Sequence, residues 1–172
     1  MRDEKTIERI ATAHPAVRNE LYLIYDEIRE ALNGKAIFRV TRVWSSFAEQ
    51  DVIYQQGRSK PGKIVSWAKA GFSYHNYALA VNFVLLVDRD NNGTFEEASW
   101  ETNVDFDGDG QADWMEVVNI FIKYGWEWGG NWNKPKTDKP HMQKTFGYSV
   151  VQLKEKWDKK EFIPETNYIQ LG

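Results

Sequence analysis

A chain of 172 residues with 22 Lys and Arg against 25 Asp and Glu carries a net charge of −3 and is long enough for one domain with its own core. That balance excludes a broadly electrostatic nucleic-acid binder, and the absence of cysteine excludes disulfide scaffolds, thiolate metal sites and thiol nucleophiles. Only His14, His75 and His141 offer imidazoles, so any transition-metal site must add oxygen donors.

No apolar run approaches the roughly 20 residues of a membrane span, so no membrane partner is expected. The start, Met1 to Lys5, has no apolar leader core. Val17, Leu21, Ile24, Ile28 and Leu32 recur at helical spacing, with Pro15 at the entry and Asn33-Gly34 as the stop, which predicts a helix over 16–32. His14, just before Pro15, reads as a helix-entry residue. Ile37 to Val43 is β-branched and aromatic and predicts a strand. Ser46-Phe-Ala-Glu49 then reads as a capping box opening a short helix to about Gln55.

Gly57 to Gly62 is turn-rich. The almost continuously apolar run from Ala78 to Val87 predicts a central strand covered on both faces. Asp88 to Gly93 is a turn and Thr94 to Trp100 a returning strand. Trp114, Val117, Val118, Phe121 and Ile122 share one face of a helix over 113–123. Trp126 to Gly130 reads as strand then loop, His141 to Gln143 as a strand and 148–160 as a last helix. Helices interleaved with a small, mostly antiparallel sheet and no repeat or linker predict one α+β domain over 1–172.

The sharpest local signal runs from Asp105 to Glu116. Oxygen side chains at Asp105, Asp107 and Asp109, a glycine at Gly110, Gln111 at the position that ligates through its backbone carbonyl, Asp113 ninth and Glu116 twelfth fill the template of a calcium-binding loop. A single such loop predicts a structural Ca2+; the alternative is an ion-free acidic turn. The similar start at Asp88, Asp90 and Asn92 ends on Ser99, which offers no closing carboxylate, so a hairpin turn is the better reading.

His75, Asn82 and His141 together would give three ligands and leave a position open, as catalytic zinc requires, with Asp138 placed as general base. Spacing alone leaves two unrelated histidines as the alternative. Trp126, Trp128 and Trp132 beside Gly129-Gly130 read as groove or as core.

Ser73-Tyr-His75-Asn-Tyr-Ala78-Leu-Ala-Val-Asn82 resembles the Ser-x-His-x-x-Gly-x-Ala-x-Asp motif of the D-alanyl-D-alanine carboxypeptidase-like zinc peptidases, and more narrowly their peptidoglycan L-alanyl-D-glutamate endopeptidases. Arg9 to Pro15, Phe47 to Asp51, Tyr54 to Gly62, Trp126 to Gly130 and Asp138 to His141 extend the resemblance over nearly the whole chain. It implies zinc on His75, Asn82 and His141 and Asp138 as base. It further implies a stem-peptide substrate and a place in the cell wall, periplasm or exterior; a monomer is expected.

The departures gather at the implied site. Asn82 stands for the motif Asp, Ala78 for its Gly, and Ser45 where relatives carry an Arg that stabilises the oxyanion; Arg58 or Arg42 is left to replace it. Asn131 and Met142 also differ from the usual residues, and Trp44 and Phe72 are bulkier or more apolar than expected. With Ser45, Ser73, Tyr74 and Trp128 these form the expected substrate-binding set, Arg58 and Asp138 the catalytic pair. The resulting expectation is a peptidase scaffold with weakened or altered activity. The alternative is a diverged or re-engineered pocket for a different small molecule.

Overall fold

The computed structural model describes all 172 residues. Helix α1 (Glu4–Ile10) opens the chain, a short element whose sequence carries no long apolar stripe and which the periodicity does not reveal. It is held from outside itself. Asp3 caps it through the Thr6 N–H and accepts a bidentate pair from Arg39 at 2.6 and 2.7 Å, while Tyr25 receives the Asp3 N–H.

Helix α2 (Pro15–Ala31) begins where the sequence places it. His14 is its N-cap: Nδ1 accepts from the Ala16 N–H and Nε2 lies 2.7 Å from the Ile169 carbonyl, so one buried imidazole starts the helix and pins the C-terminal tail. Val17, Leu21, Ile24 and Ile28 form its buried stripe. Strand β1 (Ala36–Arg42) alternates, with Ala36, Phe38 and Val40 inward. Ser46 caps α3 (Phe47–Gln55) by accepting from the Glu49 N–H.

Strand β2 (Ala80–Val87) is the centre of an antiparallel five-stranded sheet. One edge pairs with β1. The other edge is shared, β5 (His141–Gln143) taking residues 80–82 and β3 (Glu97–Ser99) residues 85–87. Strand β4 (Glu127–Trp128) completes the sheet beyond β5. The returning strand after Gly93 is shorter than expected because only Glu97 to Ser99 find partners on β2. Helix α4 (Asp113–Lys123) runs from the acidic loop, and α5 (Val150–Asp158) lies near the C-terminus under a Ser149 capping box. The core gathers Phe38, Phe83, Trp114 and Phe121, with the Trp114 and Phe83 rings tilted against each other at 4.4 Å between centroids. The architecture is α+β, and no helix is long and apolar enough to cross a membrane.

The chain enters β2 through a short 3-10 turn, Tyr74–Tyr77, capped by Ser73, and leaves that turn at Ala78 with φ 56° and ψ 32°. This left-handed conformation costs a non-glycine residue about 1 kcal/mol or more. The glycine of the resembled motif thus has a conformational reason. Ala78→Gly is expected to stabilise the protein by up to about 1 kcal/mol, read as a rise of about 2 to 4 °C in the thermal midpoint. An unchanged or lower midpoint would show that the alanine is accommodated without strain.

Candidate functional site

Three strands bring the site together in one row. Asn82 on β2 is registered opposite Arg42 on one side and His141 on the other. The β1–β2 register shifts between Val40 and Arg42, and this irregularity brings Arg42 opposite Asn82. His75 comes from the 3-10 turn that feeds β2.

The Asn82 side-chain oxygen lies 3.0 Å from His75 Nε2 and 3.1 Å from His141 Nδ1. The outer ring nitrogens are both engaged. His75 Nδ1 is 2.7 Å from the Val43 carbonyl, and His141 Nε2 is 2.8 Å from the Gln143 amide oxygen. Those acceptors fix a proton on each outer nitrogen and leave the inner ones as lone pairs. With the Asn82 amide oxygen turned inward, two imidazole lone pairs and a carbonyl oxygen face one another with no hydrogen between them. A cation resolves that repulsion, and N, N, O with held outer N–H groups is a donor set suited to zinc. Burial lowers the pKa of both histidines, His75 well below its ordinary value, which favours the neutral form that a metal needs.

Asp138 stands beside them, a carboxylate oxygen 4.0 Å from His141 Nδ1. Burial raises its pKa, opposed by His141 and the Arg42 guanidinium. Gly129 makes the approach possible: its carbonyl accepts the Asp138 N–H at 2.9 Å, and a Cβ there would lie 2.4 Å from the Asp138 carbonyl oxygen. His75, Asn82, Asp138, His141 and Gln143 open into a cleft of about 810 Å³. Phe72, Ser73, Tyr74 and Trp132 line it, and Trp132 packs on the His141 ring at 5.1 Å.

Several expected site residues are elsewhere. Arg58 does not line the cleft; it lies 3.7 Å over the Tyr54 ring and donates to the Tyr54 and Ser66 carbonyls. The guanidinium in the cleft is Arg42, held by Ser45 Oγ at 2.7 Å and Gln50 Oε1 at 2.6 Å, with no carboxylate in direct contact. Ser45 is buried and serves Arg42 rather than contacting the cleft. Met142 is wholly buried in the core, since neighbours on a strand point to opposite faces and His141 takes the cleft side. Trp128 folds over Gly130 and donates to the Lys139 carbonyl, Trp126 is core, and neither Asn131 nor the exposed Trp44 reaches the cleft. Gln143 carries no motif signal, although its spacing of two from His141 on β5 puts both on one face.

The acidic loop lies apart from the cleft. Asp105 accepts the Gly108 and Gly110 N–H groups at 2.6 and 2.9 Å, Asp107 the Asp109 N–H and Asp109 the Gln111 N–H. Carboxylate oxygens of Asp105, Asp107 and Asp109 gather within 4.8 Å of one another, as do those of Asp107, Asp113 and Glu116. Burial and the surrounding aspartates push the Glu116 pKa up to about 7. The Asp88–Asn92 turn instead closes a β2–β3 hairpin.

Residues 67–144 match a family model described as D-alanyl-D-alanine carboxypeptidase. The chain is 40% identical over 131 residues, 76% of its own length and 72% of the relative's, to the peptidoglycan L-alanyl-D-glutamate endopeptidase CwlK of Bacillus subtilis (strain 168). Its fold is similar to that of the L-Ala D-Glu endopeptidase ChiX of Serratia marcescens, with a TM-score of 0.50 at 26% identity over 83% of this chain and 87% of that one.

Proposed function

The chain belongs to the D-alanyl-D-alanine carboxypeptidase family of peptidases, and from that premise we propose that it is a zinc endopeptidase for the L-alanyl-D-glutamate bond of peptidoglycan stem peptides. The observation that carries this reading is the convergence of His75 Nε2, Asn82 Oδ1 and His141 Nδ1 beside Asp138. Those three residues would hold the zinc, which supplies Lewis-acid polarisation of a carbonyl and acidification of water.

The chain's own groups do the rest. Asp138, with its raised pKa, is placed to take a proton from the attacking water and return it to the leaving amine. Gln143 and the Val43 carbonyl keep both imidazoles in the ligating tautomer. Arg42 sets a half-buried positive charge where negative charge develops on the substrate carbonyl, the role that Ser45 cannot fill. Lys69 and Lys136 add two cations to a cleft whose only acid is Asp138, which suits a peptide carrying D-glutamate carboxylates. Activity is weakened by the neutral Asn82. The small-molecule alternative loses its support, because of the apolar trio Trp44, Phe72 and Met142 only Phe72 lines the cleft. Such an enzyme acts at the cell wall.

The test is a stem-peptide assay on zinc-loaded protein and its Asp138→Asn variant. The intact chain is expected to release L-alanine-ended and D-glutamate-started fragments slowly. The variant should be about 100- to 10,000-fold slower at unchanged zinc stoichiometry. Equal rates would remove Asp138 from the chemistry, and cleavage at another bond would remove the substrate assignment.

A further inference from the structure

We propose that the loop from Asp105 to Glu116 is a calcium site whose ion ties the first turn of helix α4 to the loop that precedes it. Five carboxylates, those of Asp105, Asp107, Asp109, Asp113 and Glu116, converge in this loop, and none of them is in an ion pair. Two of their oxygens are buried without any partner: Asp113 Oδ2, on a residue that is 0% exposed, and Glu116 Oε2, on one that is 9% exposed. A native fold rarely leaves buried carboxylate oxygens empty-handed, because removing them from water without a partner costs free energy. Here both residues join Asp107 in a cluster whose carboxylate oxygens lie within 4.8 Å of one another.

The loop is shaped around that centre. Asp105 turns the chain through the Gly108 and Gly110 N–H groups, and both glycines have positive φ, 79° and 95°. Each carboxylate that accepts a backbone N–H keeps further lone pairs for an ion. Asp113 holds the loop closed through the Phe106 N–H while its other oxygen remains free. Six or more hard oxygens, one backbone carbonyl and a glutamate in twelfth place suit Ca2+ at 2.3–2.6 Å better than Mg2+, which demands a tight octahedron.

A second observation gives the ion its task. Helix α4 has Ala112 at its N-cap and so no side-chain cap, unlike α2, α3 and α5, whose first turns are capped by His14, Ser46 and Ser149. Asp113 and Glu116, both in the first turn of α4, would tie that turn to the loop through the ion. The next residue, Trp114, is fully buried against Phe83, the neighbour of Asn82 on β2. Calcium therefore anchors the helix that backs the central strand.

The experiment uses the whole chain, stripped of metal and reloaded with one equivalent of zinc, titrated with CaCl2 by calorimetry and melted with and without Ca2+. One Ca2+ per chain is expected, with a rise of about 5 to 10 °C in the midpoint at free calcium a hundredfold above Kd. Glu116→Gln should weaken binding at least tenfold, and Asp90→Asn, in the hairpin turn, should leave it unchanged. No heat and no shift at millimolar calcium would overturn the site. So would binding lost in Asp90→Asn and kept in Glu116→Gln, or an equal shift with MgCl2.

Discussion

Replacing Asn82 by Asp is expected to raise zinc affinity by about a hundredfold and to raise stem-peptide cleavage with it. The present ligand set is neutral: two imidazoles whose burial keeps them uncharged and one amide oxygen. A divalent ion placed there keeps its full charge in a buried setting, where an unbalanced charge is costly. A carboxylate of the same shape supplies one compensating charge with no change in packing. There is also a competing state that only the amide can reach. If the Asn82 side chain turns over, its NH2 donates to the His75 and His141 lone pairs and satisfies them without metal. Zinc must displace that arrangement in the present chain and would meet no such rival in the Asp variant. Even partners one shell removed from a metal are worth about 10- to 100-fold in affinity. Zinc competition titrations and kcat/KM for both proteins decide it. Equal affinities and equal rates would show that the amide is no handicap, and with that the proposal of weakened activity would fall.

What the chain discloses before folding depends on the range of the interaction. The α2 stripe, the Ser46 cap and the apolar run of β2 are set by neighbours within one turn or one strand, so 3.6- and 2-residue periods reveal them. Helix α1 has only seven residues and depends on Arg39 and Tyr25 from distant segments, which no local pattern records. The resemblance named His75, Asn82, His141 and Asp138, and the structure brings all four together. It failed at the cleft walls. Met142 sits one residue from His141 and so on the other face of β5, a parity that was legible but outweighed by motif position. Arg42 reaches the cleft through a register shift between β1 and β2, and no spacing within β1 predicts that shift. Arg58 has the right charge but is bound to the Tyr54 ring and two carbonyls of its own loop region.

Gly129→Ala is the substitution expected to do most damage with least chemistry. A Cβ at this position would stand 2.4 Å from the Asp138 carbonyl oxygen and 3.2 Å from both the Asp138 and His141 Cβ atoms. These are backbone or backbone-proximal atoms, so no side chain can swing aside to relieve the clash. The Gly129 residue has no positive φ, which makes the penalty steric alone. Its carbonyl also accepts the Asp138 and Trp132 N–H groups, so moving it away unpairs the segment that presents Asp138. Overpacking of this kind costs about 3 kcal/mol at its upper range, which lowers the thermal midpoint by about 6 to 12 °C. The loss of function should exceed the loss of stability. A shift of about 1 Å in Asp138 and His141 relative to Asn82 is enough to cost about a hundredfold in rate, even where the variant is fully folded. Melting curves followed by kcat/KM and zinc stoichiometry, measured well below both midpoints, separate the two effects. A variant that melts like the parent, binds zinc alike and keeps its rate would mean that the segment from Gly129 to Asp138 yields freely, and that the tight backbone approach is not what holds the base in place.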